Sequence, residues 1–134
     1  MPRVLGKIRT TDALAVLLLA AFPFFYFYPV TLGTAVWFTR DFSRMYYPAA
    51  LELGRALNAG RLPLWSPQMQ AGFPLLAEGQ MAAFYLPQLV LVKILPAHFA
   101  ISYELLLHLG FAAVGMYACV RGLGVRIPSS LLAG

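Results

Sequence analysis

The stretch that decides the fold is "ALAVLLLAAFPFFYFYPVTLGTAVWFT", residues 13–39, because it contains no charged side chain. A helix needs about 20 mostly apolar residues to cross the hydrocarbon core of a bilayer, and this stretch is long enough. Three bases precede it, Arg3, Lys7 and Arg9. Such bases gather on the cytoplasmic side of a span. We therefore predict a first membrane span at about residues 12–31 with a cytoplasmic N-terminus.

A cleaved signal peptide is the alternative interpretation of this stretch. A signal peptide has a shorter apolar core, about 7–15 residues, followed by a small-residue cleavage site. Here the apolar core continues through "FPFFYFYPV", residues 22–30. The aromatic rings in that segment suit the far interface of a bilayer. The pattern favours an uncleaved anchor.

Composition also indicates a membrane protein. The chain has 134 residues, of which 60% are hydrophobic and 11% are charged, whereas about a quarter of a soluble domain is charged. The net charge is +5, but the bases are scattered and form no stripe, which argues against a nucleic-acid partner. The single cysteine, Cys119, excludes an intrachain disulfide and is expected to be a small buried hydrophobe.

A second apolar segment predicts a span at about residues 98–120. Arg121 and Arg126 follow it, and two spans return them to the cytoplasmic side. Glu104 and His108 lie four residues apart on one face of this helix. Ionisable residues inside a span are functional candidates by default. The alternative is a structural hydrogen bond that joins two helices.

Between the two spans we predict an extracytoplasmic loop at about residues 39–80 that carries an amphipathic helix. Its apolar stripe contains Tyr46, Ala50, Leu53 and Leu57, and its polar face contains Arg44, Glu52, Arg55 and Asn58. Gly60 is placed to end the helix as a left-handed cap. The pattern predicts a juxtamembrane helix along the membrane surface, with an ordinary packed helix as the alternative.

The rest of the chain holds two shorter apolar segments. Residues 81–95 are interrupted by Pro87 and predict a re-entrant or interfacial helix rather than a span. Residues 128–134, "PSSLLAG", look like the first turn of a truncated third span. The chain is then expected to be the N-terminal fragment of a larger all-α multi-span protein. A complete two-span anchor is the simpler alternative.

The polar chemistry of the chain centres on Asp41, the first acid after the first span. A carboxylate at that boundary could act as a general base or bind a divalent cation. Arg40 and Arg44 flank it and could bind phosphate. The alternative is that Asp41 caps the amphipathic helix and pairs with these arginines.

Further candidates lie in the loop. Trp65 could stack on a sugar ring or anchor the loop at the membrane interface. Glu78 and Gln80 could line a polar cavity or be solvated. The candidate substrate-binding residues are therefore Arg40, Arg44, Tyr46, Trp65, Glu78 and Gln80. No nucleotide-binding or hydrolase motif occurs in the chain.

Two stretches resemble a known family. They are "RDFSRMYYPAALELGRALNAGRLPLWSPQMQAGFPLLAEGQMAAFYLPQ", residues 40–88, and "LLLHLGFAAVGMYACVRGLG", residues 105–124. From about Phe38 onward the chain is similar to the N-terminal part of the YfhO-type bacterial membrane proteins. The resemblance implies a C-type glycosyltransferase helical bundle in the bacterial cytoplasmic membrane. It also implies a polyprenyl-phosphate sugar donor and an envelope glycan or lipid acceptor.

The resemblance assigns roles to particular positions. Asp41 matches the acid that activates the acceptor hydroxyl and that could help to position a metal ion. Ser66 stands where the family usually has Asn, and Leu86 separates Tyr85 from Pro87 where Tyr-Pro is expected. Donor-phosphate contacts would lie in later loops, so this fragment alone should be inactive. The alternative is a non-catalytic membrane protein, such as a lipid carrier or an envelope assembly component.

Overall fold

The computed structural model describes residues 10–37 and 40–134. The basic N-terminal segment that predicts the orientation of the first span lies outside these residues. The described part of the chain is helical and contains no β-strand. It forms two compact units, one of described residues 10–28 with Leu106–Gly134, and the other Pro29–Leu105.

The first unit is built from α1 (Thr10–Tyr26), the end of α5 (Ala97–Gly122) and α6 (Ile127–Ala133). Helix α1 and the end of α5 run antiparallel, because the start of α1 bonds to the last turns of α5. Their backbones approach closely at Gly110, where an added Cβ would lie 2.9 Å from the carbonyl oxygen of Ala20. Small residues at helix crossings are typical of membrane bundles.

Helix α5 is the one described helix that is long and apolar enough to cross a membrane. Its 26 residues extend over ~39 Å, against a hydrocarbon core of ~30 Å. Only 28% of its most apolar window is buried, whereas the core helix of a soluble protein would be mostly buried. The predicted span at residues 98–120 falls inside this helix.

Helix α1 is shorter than the predicted first span at residues 12–31. It has 17 residues, or ~26 Å, and is apolar throughout its middle. Pro23 lies inside the helix, and the Phe27 amide bonds to the Pro23 carbonyl over 2.9 Å at its end. Phe27 then forms a turn before the short helix α2 (Tyr28–Thr31). The segment is therefore two helices rather than one.

The second unit packs α3 (Tyr47–Asn58) against α4 (Leu86–Ile94). Gly54 allows this contact, because a Cβ there would lie 2.9 Å from the Val92 carbonyl oxygen. The buried cluster of this unit contains Ala49, Ala50, Leu53, Met69, Leu75, Met81, Val92, Ala97, Ala100 and Ile101. It draws on both helices, the loop between them and the start of α5.

The predicted end of the amphipathic helix is confirmed at Gly60, which has φ +66°. The Gly60 amide bonds to Leu57 O over 3.1 Å, and the Arg61 amide bonds to Ala56 O over 2.8 Å. This pair of bonds is the Schellman motif, and glycine adopts its left-handed residue without steric strain.

The apolar stripe of α3 is buried inside the protein. Ala50 and Leu53 are almost completely inaccessible and belong to the cluster shared with α4, while Tyr46 at the stripe's edge is exposed. In this respect α3 matches the packed-helix alternative rather than a helix that lays its apolar face on lipid.

Helix α4 occupies only part of the segment predicted at residues 81–95. Pro87 lies in its first turn and begins the helix instead of interrupting it. Proline is tolerated there because the first amides of a helix need no intrahelical partner. Met81 belongs to a separate 3₁₀ turn, Gly79–Met81. Nine residues give α4 a length of ~13.5 Å, too short to cross a bilayer.

The Gly- and Pro-rich loop between α3 and α4, residues 59–85, has a defined path. Ser66 and Phe73 exchange two backbone hydrogen bonds of 2.8 Å as an isolated antiparallel bridge. Gln70, Ala71 and Gly72 have φ of 49°, 60° and 127°, and they turn the chain between the bridged residues.

Candidate functional site

Asp41 lies at the start of a π-helix, Phe42–Tyr46, that leads directly into α3. Its side chain is exposed and makes no capping hydrogen bond. The backbone at Asp41 is already helical, with φ −75° and ψ −34°. A capping residue needs an extended backbone to aim its oxygen at the following amides. The capping alternative is therefore wrong for this residue.

The π-helix distinguishes this turn from an ordinary helix start. The Tyr47 amide bonds to the carbonyl of Phe42, five residues earlier, and so inserts one extra residue into the turn. The rings of Phe42 and Tyr46 lie 6.3 Å apart between centroids. The Ser43 hydroxyl donates to Arg40 O over 3.3 Å. Short π segments are uncommon and occur frequently at functional sites.

Arg40 and Arg44 flank Asp41 and are exposed. Within the described residues, neither arginine forms an ion pair with Asp41. The sequence predicted local ion pairing as part of the capping alternative, and the structure does not show it. Three charged side chains thus lie within five residues and remain open to an external partner. Tyr46 lies beside them, with 37% of its surface exposed.

The loop candidates have local roles that the sequence did not reveal. The ring of Trp65 rests on Gly72, where an added Cβ would lie 2.6 Å from Cζ2, and much of the ring remains exposed. The Glu78 carboxylate accepts a bond from the Gln80 amide over 3.3 Å and so caps the 3₁₀ turn. Gln80 is exposed. In the described part of the chain, no hydrogen bond joins these residues to Asp41.

Glu104 and His108 lie on α5 at helical spacing. Glu104 is half-buried and His108 is exposed, and each already takes part in an interaction. Cys119, expected to be buried, is exposed on the same helix. Its apolar run predicted burial, but that run lies in a helix whose surface is mostly uncovered. Across residues 10–37 and 40–134, no three His, Cys, Asp or Glu side chains come together as metal ligands.

A polar cluster in the first unit was missed by sequence reasoning. Asp12 Oδ1 accepts bonds from the Tyr117 hydroxyl over 2.6 Å and from Arg121 Nε over 2.8 Å. Arg121 Nη1 also donates to Val125 O over 2.6 Å. The sequence signal for this cluster is the position of the two charges at the ends of two apolar helices. Asp12 begins one apolar helix and Arg121 ends another, so an antiparallel pair brings them to the same end.

An open groove of about 480 Å³ lies between α3, α4 and the start of α5. Its walls are mostly apolar, and Arg55 and Asn58 supply polar groups at α3. Arg55 Nη1 donates to Glu52 over 2.8 Å and to Gln68 over 3.0 Å. The groove is distinct from the Asp41 turn in its lining residues.

The candidate site is thus an exposed acid at the start of a π-helix, with an exposed arginine before it and another within the π-helix. No family model matches this chain, and neither does any curated protein or solved structure.

Proposed function

We propose that this chain is the first part of a multi-pass membrane glycosyltransferase-like protein of the YfhO type, with a C-type helical bundle. The protein would lie in the bacterial cytoplasmic membrane and transfer a sugar from a polyprenyl-phosphate donor to an envelope glycan or lipid acceptor. The loop at residues 39–80 would then face the extracytoplasmic side. Helix α5, which among the described residues is the one helix long and apolar enough to cross a membrane, supports the membrane location.

The catalytic part of the proposal is supported by the exposure of Asp41 and by its lack of a partner among the described residues. Its carboxylate is exposed and, within the described residues, has neither a capping bond nor an ion partner. A structural carboxylate would normally use its oxygens on neighbouring donors. A carboxylate that has no such donor among the described residues can instead accept a proton from a bound hydroxyl.

The proposed reaction follows from these groups. The acceptor hydroxyl attacks the anomeric carbon of the donor, and its proton passes to Asp41. A bond forms between the acceptor oxygen and the anomeric carbon. The bond from that carbon to the phosphate oxygen breaks, and the lipid phosphate leaves with the electron pair. The configuration at the anomeric carbon inverts because attack and departure occur on opposite faces.

The neighbouring residues supply binding in this scheme. Arg40 and Arg44 would help to attract the donor phosphate alongside the contacts from later loops, because the planar guanidinium donates two parallel bonds to such oxygens. The exposed ring of Trp65 offers a flat apolar surface for a sugar, and Tyr46 offers a second ring near the acid. A divalent cation could be held by Asp41 only together with further oxygen ligands, such as backbone carbonyls, waters or an acid of a later loop.

The test is Asp41→Asn in the complete protein, assayed for transfer of radiolabelled sugar from polyprenyl phosphate in membranes. We expect transfer to fall by about two to four orders of magnitude, the range that general base catalysis contributes. Glu52→Gln is the matched control, because it makes the same carboxylate-to-amide change in an acid that is paired with Arg55 rather than left without a partner. Its transfer rate should stay close to that of the unmodified protein.

Wild-type transfer by Asp41→Asn would show that Asp41 is not the base. Absence of transfer by the unmodified protein, with membrane insertion intact, would favour the non-catalytic alternative. Arg40→Gln and Arg44→Gln should raise the KM for donor more than they lower kcat, because these residues are assigned to binding.

A further inference from the structure

The face of α4 that points away from α3 is apolar and exposed. Gln88 and Val92 are buried toward the core of the second unit. Leu86, Val90 and Ile94 recur every four residues and are exposed, with 70%, 49% and 67% of their surfaces accessible. Residues four apart share a helix face, so the outer face of α4 is an uncovered apolar stripe.

The position of α4 next to α5 indicates what could cover this stripe. Helix α4 ends at Ile94, and α5 begins at Ala97, so two residues separate α4 from the helix that is long enough to cross a membrane. If α5 crosses a bilayer, the end of α4 is held close to the level where α5 enters it. A helix of ~13.5 Å cannot cross at that place, but it can lie in the interface.

The residues around the stripe have interfacial character. Phe84 and Tyr85 precede the helix and are exposed, with 75% and 40% of their surfaces accessible. Tyrosine rings concentrate at the headgroup level, and Phe84 extends the apolar surface beside Tyr85. Lys93, the one charged residue of α4, is exposed and can extend its ammonium to anionic headgroups while its stem lies along apolar surface.

We infer that the stripe of Leu86, Val90 and Ile94, with Phe84 at its end, seats α4 in the headgroup and upper acyl region of the bilayer. Of these two helices, α4 therefore contacts lipid, while the apolar stripe of α3 contacts protein. The inference rests on the proposed membrane location of α5 and is independent of glycosyl transfer.

The experiment uses the full chain with Cys119→Ser, reconstituted in vesicles of phosphatidylethanolamine and phosphatidylglycerol. Single cysteines are introduced as Val90→Cys, Phe111→Cys and Gln68→Cys and labelled with an environment-sensitive fluorophore. Phe111 is an exposed residue in the middle part of α5, and Gln68 is an exposed loop residue bonded to Arg55. Nitroxides at the headgroup or in the middle of the acyl chain, and aqueous iodide, serve as quenchers.

We expect the label at Val90 to show blue-shifted emission and to be quenched more by headgroup nitroxides than by mid-chain ones. The label at Phe111 should show the reverse order, and the label at Gln68 should respond mainly to iodide. Iodide quenching at Val90 equal to that at Gln68 would overturn the inference. Protection of Val90 from lipid and iodide alike would also overturn it, because a protein surface would then be the occupant.

The Phe111 label tests the membrane location of α5 separately from the position of α4. If the lipid nitroxides do not quench the label at Phe111, α5 does not lie in the membrane. The proposed position of α4 in the interface is then wrong as well. If Phe111 is quenched by lipid and Val90 is not, the location of α5 holds and the inference about α4 is wrong. The activity of Asp41→Asn affects neither result.

Discussion

Arg121 donates a hydrogen bond from Nε to Asp12 Oδ1 over 2.8 Å, and 109 residues of sequence separate the two. The bond joins the first turn of α1 to the last turn of α5. Tyr117, one turn before Arg121, bonds to the same carboxylate oxygen. The carboxylate therefore fixes the register of the two antiparallel helices at one end.

Reversal of this ion pair tests its role in register. Asp12→Arg alone should lower the melting temperature of the detergent-solubilised chain, because two arginines then face each other beside Tyr117. Arg121→Asp alone should do the same with two acids. The double variant should recover much of the loss. Thermal unfolding of all four proteins gives a double-mutant cycle, and additive losses in it would show that the two residues do not interact.

Gly110 should be the least replaceable glycine of α5. Gly110→Ala should lower the free energy of unfolding by about 1–3 kcal/mol, because the new Cβ meets the Ala20 carbonyl at 2.9 Å and backbone cannot move aside easily. Gly115→Ala is the matched control on the same helix, since no atom lies within 4 Å of its Cβ position. Equilibrium unfolding in mixed micelles compares them, and equal losses would contradict the close helix crossing.

The C-terminal cap of α3 gives a prediction that depends on backbone alone. Gly60→Ala should destabilise the chain by about 1–2 kcal/mol, because an L-residue resists the left-handed conformation at φ +66°. Gly60→Asn should cost less, since asparagine tolerates that region. Neither the alanine nor the asparagine Cβ clashes with another residue, because the Cβ position of Gly60 is open. Gly79→Ala is the control, open and without a positive φ, and it should leave stability nearly unchanged.

The hydroxyl of Ser66 is fully buried and has no hydrogen-bond partner in the part of the chain that the structure describes. Ser66→Ala should therefore leave the chain equally stable or raise its free energy of unfolding by up to about 3 kcal/mol, the desolvation cost of an unpaired polar group. Ser102→Ala is the contrasting variant. Its hydroxyl is also buried but donates to His98 O over 2.6 Å, so its loss should cost about 0.5–1.5 kcal/mol.

Local signals account for what the sequence predicted well. The long apolar run of α5 and the Gly60 cap are fixed by residues adjacent in the chain, and both appear where expected. The sequence predicts an interruption at Pro87 because the apolar run alone does not show where the helix begins. Once Leu86 starts α4, the same proline is an ordinary first-turn residue.

Long-range pairing accounts for what the sequence did not reveal. The stripe of α3 is equally apolar whether lipid or α4 covers it, so periodicity alone could not choose between them. The bond between Asp12 and Arg121 needed the antiparallel arrangement as well as the charges. At the site, the sequence located Asp41, whereas the π turn and the absence of an arginine partner within the described residues required coordinates.

The bridge between Ser66 and Phe73 limits the strand edge through which this apolar chain could aggregate. It is a hairpin reduced to a single rung, closed by the left-handed turn at residues 70–72. A longer extended pair would present a row of open amides and carbonyls on which another chain could add a strand. With a single bridged pair, this part of the described loop offers very little of such an edge, although the neighbouring Trp65 is exposed.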